Sequence, residues 1–137
     1  MSWSDKYIGI PQADHGRSDL GCDCWGLLRL VYARELGIAL PGYEEAYLDP
    51  GERREIAALI DRAEASGPWR RASQPRPFQL LLFRRGRWRS HVGLRVSAAR
   101  MLHMDGMDQA RIADLRDGYW RARLVGEYRH VEMETPS

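Results

Sequence analysis

The chain changes character near its middle, from a helical pattern to a series of short apolar runs, and this order limits the folds open to it. The first helical segment starts behind Asp23, where apolar residues recur at spacings of one, three and four: Leu27, Leu28, Val31 and Tyr32. Such spacing places apolar side chains on one face of a helix. Asp23 is suited to cap the N-terminus of this helix, and Gly37, with Pro41 beyond it, is suited to end it.

A second helix is predicted over residues 49–67 by signals of the same kind. Asp49 can act as its cap, and Pro50 can occupy its first position, where a missing N–H breaks no helical bond. An apolar face then follows at helical spacing, formed by Ile56, Leu59, Ile60 and Ala63. Residues 67–77 read GPWRRASQPRP, and this proline- and arginine-rich segment is interpreted as a connector between the two halves.

Five short runs in the second half are predicted to be β-strands. They cover residues 78–84, 91–96, 101–104, 110–115 and 123–132, with a turn predicted at 97–100. Helices followed by consecutive strands indicate an α+β fold, in which N-terminal helices pack on a central antiparallel sheet. The chain has 137 residues, of which 44% are hydrophobic, and we expect it to bury one core and to form a single domain over 1–137.

Cys24 directly follows the predicted cap and would lie in the first turn of the helix. Unpaired backbone N–H groups and the positive end of the helix dipole favour an anion there, so this position lowers the pKa of a thiol and favours the reactive thiolate. Cys22 is too close to Cys24 for an unstrained disulfide, and we treat both as thiols. The alternative is that Cys24 is a small apolar residue on a core helix.

Two of the four histidines, His91 and His103, lie on adjacent predicted strands joined by a short turn. A general base and the residue that orients it need such an arrangement. Because their separation is an even number of residues, an antiparallel hairpin places both rings on one face only if its loop holds an odd number. The alternative for His91 is a core histidine with no role in chemistry. His15 and His130 are predicted to be surface residues.

The residues around these groups form a set of motifs that resembles the NlpC/P60 family of papain-like cysteine peptidases. The set comprises Gly9-Ile10-Pro11, Asp23-Cys24-Trp25-Gly26-Leu27, Ser90-His91-Val92-Gly93-Leu94 and Leu102-His103. The family's motifs run in the same order, as D-C-x-G-L, then H-V-G-aliphatic, then a later polar residue. The segments YIGIP, DCWGLLRLVY and YWRARLVGEYRH are also similar to short stand-alone members encoded in tail-gene clusters of bacteriophages and gene transfer agents.

The resemblance implies a papain-like fold and a cysteine peptidase mechanism. Cys24 would be the nucleophile, His91 the general base and His103 the residue that orients His91. The bond attacked in the family is typically an amide of the peptidoglycan stem peptide, next to a γ-linked D-glutamate, and hydrolysis passes through an acyl-enzyme. The backbone N–H of Cys24 could help to hold the oxyanion. No metal or organic cofactor is implied.

Three positions depart from the pattern of the family's cell-wall members. Trp25 follows the nucleophile where serine is common, and Gln12 follows the Gly-x-Pro motif where tyrosine is common. Phe78-Gln79 stands where a Gly-Asp pair often begins the strand before the histidine. These departures concern the identity of the stem peptide more than the reaction type. The candidate substrate-binding residues are Gln12, Asp23, Trp25 and Ser90.

Two other functions compete with the peptidase. A structural zinc site could draw two sulfurs and two imidazoles from Cys22, Cys24, His91 and His103, although such sites usually space their paired cysteines more widely. Alternatively, the chain could be a docking module of a phage tail that keeps the fold, with interface anchors among Trp3, Trp69, Trp88 and Trp120. The complete catalytic trio favours the peptidase.

The charge pattern bears on the choice of partner. The net charge is only +2, without the strong bias of a dedicated nucleic-acid binder. Arginines nevertheless cluster beside Trp88, at positions Arg84, Arg85, Arg87 and Arg89. We interpret the cluster as a solvated strand edge or hairpin tip, and contact with an anionic wall polymer or a partner protein is the alternative. Nothing else in the sequence suggests nucleic acid.

The distribution of apolar residues indicates whether the chain carries a signal peptide or spans a membrane. No apolar stretch has the length of a signal-peptide core or of a membrane span. We therefore expect synthesis in the cytoplasm and no membrane span. If the resemblance to tail proteins holds, the chain would be incorporated in a phage or gene-transfer-agent tail, with other tail-tip proteins as partners, and would act on peptidoglycan at the cell wall.

Overall fold

The computed structural model describes residues 3–13, 17–18, 20–40, 69–85, 88–104 and 108–133. This part begins with a 3-10 helix at Trp3–Tyr7 and a small antiparallel ribbon of β1 (Arg17–Ser18) and β2 (Gly21–Cys22). Helix α1 follows at Cys24–Val31 and continues as a π-helical turn at Tyr32–Leu36. The predicted second helix, 49–67, lies outside the described residues.

Helix α1 forms where the sequence predicts it, with the expected cap at each end. Asp23 has an extended backbone, and its carboxylate accepts a hydrogen bond of 2.7 Å from the N–H of Gly26. Gly37 ends the π-helical turn at φ +68°, a left-handed conformation that glycine adopts without strain. The predicted start behind Asp23 and stop at Gly37 are confirmed. Among the residues that the structure describes, no helix is long and apolar enough to span a membrane.

Six strands form one antiparallel sheet: β3 (Trp69–Arg71), β4 (Leu80–Arg85), β5 (Trp88–Arg95), β6 (Arg100–Met104), β7 (Ala110–Asp114) and β8 (Leu124–His130). Their order across the sheet is β3-β8-β4-β5-β6-β7. Strands β4 to β7 are therefore sequential neighbours, and β8 returns to lie between β3 and β4. The predicted α+β class with an antiparallel sheet is confirmed.

The main core lies between α1 and one face of the sheet. Its members are at most 9% exposed and include Leu27, Leu28 and Val31 from the helix and Leu80, Leu82, Val92, Leu94 and Leu102 from the strands. The strand members alternate along the chain, because successive side chains of a strand project to opposite faces. Burial of each such side chain contributes about 1.5–3 kcal/mol, and together they hold α1 against β5 and β6.

The opposite face of the sheet carries a smaller apolar cluster. Leu81, Phe83 and Met101 are fully buried in it, and Trp120 packs against them together with Ala113 and Leu115. Trp120 belongs to helix α2 (Gly118–Arg123), which joins β7 to β8 and is capped by the Asp117 carboxylate. The sequence does not predict α2, because six residues are too few to show a helical period.

A buried ion pair connects β5 to β8 across the strand between them. The Arg95 guanidinium donates to both carboxylate oxygens of Glu127, at 2.7 and 2.9 Å. Its remaining nitrogen donates to the carbonyls of Ser97 and Ala98 at 2.9 and 2.8 Å. The side chains of Arg95 and Glu127 are only 9% and 15% exposed. Arg95 therefore holds the β5–β6 loop in place while it neutralises a carboxylate shielded from water.

Strand β3 lies within the segment interpreted as a connector. Trp69 pairs with His130 at the edge of the sheet, and the two rings meet edge to face with centroids 5.0 Å apart. Three residues are too few to show the alternation of a strand, so only the pairing with β8 reveals it. The prediction that His130 is a surface residue is wrong: it is 3% exposed, because Trp69 and Tyr32 enclose it. His15 lies outside the described residues.

The arginine cluster lies at the β4–β5 hairpin. Arg85 pairs with Trp88 at the end of the ladder, and Arg84 is exposed. The described part of the cluster therefore lies on the paired strands of a hairpin, and Arg87 lies outside the described residues.

We expect Arg95→Met to destabilise the protein by about 3–5 kcal/mol, because it leaves the Glu127 carboxylate buried without a counter-charge. Urea denaturation at neutral pH measures this loss. The double variant Arg95→Met/Glu127→Leu removes the isolated charge and should recover most of the stability. A loss below about 1 kcal/mol in the single variant, the range of exposed ion pairs, would contradict the buried clamp.

Because of His130, we expect the free energy of unfolding to fall in acid. Burial lowers the pKa of His130, and the Glu132 carboxylate opposes this effect. Its Nδ1 accepts a hydrogen bond of 3.1 Å from the Glu132 N–H, which requires the neutral ring. The unfolded chain therefore binds the proton more tightly, so the stabilisation is complete above the ordinary histidine pKa of about 6.5 and is lost as pH falls towards the folded-state pKa.

Urea denaturation from pH 8 to 5 tests this expectation. His130→Asn retains an acceptor near Nδ1 and cannot titrate, so its free energy of unfolding should depend less steeply on pH than that of the wild type. Equal slopes for the two proteins would show that His130 does not contribute.

Candidate active site

His91 on β5 and His103 on β6 form a buried hydrogen-bonded pair. Nε2 of His91 lies 3.1 Å from Nδ1 of His103, and the ring planes stand at 90° to each other. The two residues are 4% and 3% exposed. One of the two facing nitrogens must carry the proton and the other must accept it, so the contact couples the tautomers of the two rings.

The register of β5 and β6 explains why the two rings meet. Gly93 lies opposite His103, and His91, two residues before Gly93, projects from the same face of the sheet. Continuing this register towards the turn leaves the odd-numbered loop 97–99. The condition that the sequence sets for a shared face is therefore met. A Cβ at position 93 would lie 2.8 Å from the Met101 sulfur and 3.4 Å from the His103 Cβ, so glycine permits this close pairing.

Trp120 lies against both histidines, a contact that the sequence does not predict. Its indole stacks on His91 with centroids 5.5 Å apart and an angle of 24° between the planes. The same indole meets His103 edge to face at 4.8 Å and Phe83 at 5.1 Å. Trp120 is thus part of the surroundings of the pair and is not a separate surface anchor.

Cys24 is the first residue of α1, directly behind the cap. Its side chain is half-buried, whereas Cys22 is fully buried, and neither forms a disulfide. The first turn of a helix favours an anion, because its N–H groups point towards that end. Helix α1 packs against β5 and β6, the strands that carry His91 and His103. The three candidate catalytic residues therefore lie on elements that contact one another.

The four predicted substrate-binding residues have different surroundings. Asp23 and Trp25 are buried, the first as the helix cap and the second in the main core. Gln12 is half-buried and forms a parallel bridge to Cys22, close to the start of α1. Ser90 directly precedes His91 on β5, and its side chain is outside the described part. Their contact with substrate stays a prediction.

The zinc alternative gains no support from the structure. In the described ranges, no three His, Cys, Asp or Glu side chains are grouped so that they could hold a metal ion, although all four proposed ligands belong to those ranges. His91 and His103 instead direct ring nitrogens at each other.

Comparison with known proteins finds a matching family and similar solved structures. The NlpC/P60 family model matches residues 11–129, a range that contains Cys24, His91 and His103. A curated relative, the Gamma-DL-glutamyl hydrolase of Bacillus subtilis (strain 168), is 25% identical over 136 residues. This alignment covers 97% of the chain but only 29% of the relative, so the chain spans less than a third of that protein's length.

Solved structures show the same fold. A protein described as similar to lipoprotein, of the NLP/P60 family, from Staphylococcus aureus subsp. aureus Mu50 matches 92% of this chain and 38% of its own, with a TM-score of 0.64 and 24% identity. The NlpC/p60 domain of the peptidoglycan hydrolase SagA matches 91% of this chain and 90% of its own, with a TM-score of 0.59 and 21% identity. An NlpC/P60 family protein from Bacillus cereus ATCC 10987 covers 91% and 37%, with a TM-score of 0.64 and 20% identity.

The cap of α1 can be tested by substitution. Asp23→Ala removes the acceptor for the Gly26 N–H and should lower the free energy of unfolding by about 1 kcal/mol. Asp23→Asn keeps an oxygen in the same position and should retain most of that stability. Urea denaturation of both variants measures the difference. Equal losses would show that the carboxylate acts through its charge rather than as a cap.

Proposed function

Because the chain belongs to the NlpC/P60 family, we propose that it is a cysteine peptidase that hydrolyses an amide bond in the stem peptide of peptidoglycan. The observation that carries the proposal is the His91–His103 hydrogen bond, buried on the two strands against which the helix of Cys24 packs. Nucleophilic catalysis by cysteine needs a base held in one orientation and a thiol next to it, and the proposal places the Cys24 thiol in that position.

In the proposed mechanism, the Cys24 thiol gives its proton to His91. Because Nε2 of His91 faces His103, the proton goes to Nδ1, and the proposal places the sulfur beside that atom. The thiolate attacks the amide carbonyl, and the developing oxyanion is held by the backbone N–H of Cys24. His91 then protonates the leaving amine as the C–N bond breaks. Water, deprotonated by His91, hydrolyses the thioester and releases the carboxylic acid.

His103 has the part of the orienting residue in this proposal. Its Nδ1 accepts a hydrogen bond from His91 Nε2, so it keeps the His91 ring from rotating and leaves Nδ1 of His91 to take the thiol proton in this mechanism. This assignment also fixes the tautomer that His103 must adopt, with its own proton on Nε2.

The proposed substrate class rests on the family and on a named relative. The relative from Bacillus subtilis is a Gamma-DL-glutamyl hydrolase, which agrees with a scissile bond next to a γ-linked D-glutamate. Gln12, Asp23, Trp25 and Ser90 are the residues that we propose to adapt the site to its peptide. Of the residues whose side chains are described, Gln12 is the best placed to contact the peptide. It is half-buried, and it forms a bridge with Cys22, two residues before Cys24.

We further propose that the chain acts as one domain, 1–137, in a phage or gene-transfer-agent tail, where it aids penetration of the cell wall. The support is the similarity of its sequence to short tail-encoded members of the family. Tail-tip or hub proteins would then be its partners, and the particle would carry it to the wall.

The docking module is the second candidate, and the structure weakens its main argument. Trp69 is 5% exposed in the core, and Trp120 packs on the histidine pair. Trp3 is half-buried and stacks on Phe78 at 4.3 Å. Three of the four tryptophans considered as interface anchors therefore pack within the chain.

Digestion of purified peptidoglycan, with mass spectrometry of the released fragments, tests the peptidase. We expect the wild type to break bonds within the stem peptide and Cys24→Ala to be slower by about 10³-fold or more. His91→Ala should be equally slow, because the two residues act as a unit. Cys22→Ala is the matched control and should retain cleavage, since Cys22 is buried in the core.

The identity of the fragments names the bond. Absence of cleavage by the wild type, even after addition of a purified tail-tip or hub protein, would contradict the peptidase and favour the docking module.

A further inference from the structure

Trp120 is the one side chain that the described contacts place against both rings of the histidine pair. It stacks nearly parallel on His91, at 24° and 5.5 Å, and its edge meets His103 at 4.8 Å. Both histidines are almost fully buried, while Trp120 itself is half-buried. The indole therefore forms the outer layer over the pair on this face of the sheet.

The position of Trp120 is set by the elements on both sides of α2. At the N-terminus, the Asp117 carboxylate accepts from the Tyr119 N–H at 2.8 Å. At the C-terminus, the helix passes directly into β8, which pairs with β4. The indole also packs edge to face on Phe83, at 5.1 Å. These contacts hold the ring in one orientation without a hydrogen bond to either histidine.

A stacked indole acts on the two protonation states of His91 differently. The face of an aromatic ring attracts a cation, so it stabilises the imidazolium more than the neutral imidazole. By covering the pair it also limits the access of water to the His91–His103 hydrogen bond, which strengthens that bond. The first effect favours the state in which His91 has accepted the thiol proton, and the second holds the His91 ring in the orientation in which it accepts that proton.

We propose that Trp120 is a positioning residue that stabilises the protonated form of His91 and shields its hydrogen bond to His103. This inference rests on the proposed function, in which His91 is the general base, and adds a residue to that site. Trp120 acts through His91 and is not assigned a contact with substrate.

Among the described residues, most of the other titratable groups on the elements packed against His91 are engaged elsewhere or exposed. His103 on β6 faces it directly, and Cys24 begins the helix packed on its strand. On β5 itself, Arg95 is paired with Glu127 of β8. On α2, Arg123 lies over the Tyr119 ring at 3.7 Å. Arg84 on β4, and Tyr119 and Arg121 on α2, are exposed. Trp120 is thus a neighbour whose removal changes the surroundings of the imidazolium without removing a charge.

The pH dependence of kcat/KM on a stem-peptide substrate provides the test. The acidic limb reports loss of the proton of the Cys24 thiol. The His91 imidazolium is present before and after that loss, so Trp120→Leu should leave the acidic limb at the same pH. The alkaline limb reports loss of the imidazolium proton, so it should move to lower pH by about 0.4 to 1.5 units. Trp120→Phe retains an aromatic face and should restore part of the shift.

Leu115→Ala is the control for a merely structural effect. Leu115 packs in the same apolar cluster as Trp120, so its truncation loosens that face of the sheet but leaves the stacking partner of His91. We expect both limbs of its profile to stay at the wild-type pH. A shift of the alkaline limb as large as that of Trp120→Leu would overturn the proposal.

A second measurement separates this inference from the proposed function. NMR titration of protein labelled with ¹⁵N-histidine follows His91 directly, with His91→Gln used to assign its signals, and needs no peptidase activity. A lower pKa of His91 in Trp120→Leu supports the inference even if the wild type cleaves no peptidoglycan. An unchanged titration midpoint overturns it, whatever the result with peptidoglycan.

Discussion

The pairing of β5 with β6 is the constraint on which the candidate site depends. With Gly93 opposite His103, His91 projects from the same face, and its ring reaches the ring of His103. A slip of one residue would send one ring to the other face, because the period of a strand is two. Gly93 allows the close pairing, and Arg95 fixes the loop that closes it. The hydrogen bond between the rings is therefore a consequence of strand register.

The two faces of the sheet carry different parts of this arrangement. Val92 and Leu94 join the main core with α1, while His91, between Phe83 and Trp120, belongs to the opposite side. Alternation along one strand thus couples a large apolar area to a pair of polar rings. Burial of those rings is tolerable because each has a hydrogen-bond partner in the other. The face packed on α1 supplies most of the apolar burial, and the opposite face orients the histidine pair.

Sequence could predict the features that depend on local signals. Asp23 as a cap and Gly37 as a stop follow from spacing and turn chemistry. The odd loop between the histidine strands does not, because the predicted turn at 97–100 has four residues and only the register of β5 with β6 shortens the loop to 97–99. Strand β3 could not be predicted, since three residues carry no pattern and only pairing with β8 defines them. The sequence predicts His130 at the surface because it has no partner histidine on an adjacent predicted strand, yet Trp69 encloses it. Trp120 lies seventeen residues after His103 in sequence, and only the return of the chain over the second face brings them together.

The start of α1 places a carboxylate next to the thiol that we propose as the nucleophile. A negative charge beside Cys24 opposes the thiolate, so Asp23 must serve the site in another way. Its Oδ1 accepts a hydrogen bond from the N–H of Gly26, the third residue of the helix. The capping bond is therefore made to a different amide from that of Cys24, which the proposed mechanism assigns to the oxyanion. By ordering the first turn, Asp23 fixes the direction of that amide before a substrate arrives, and such preorganisation is what makes a backbone donor effective in acyl transfer.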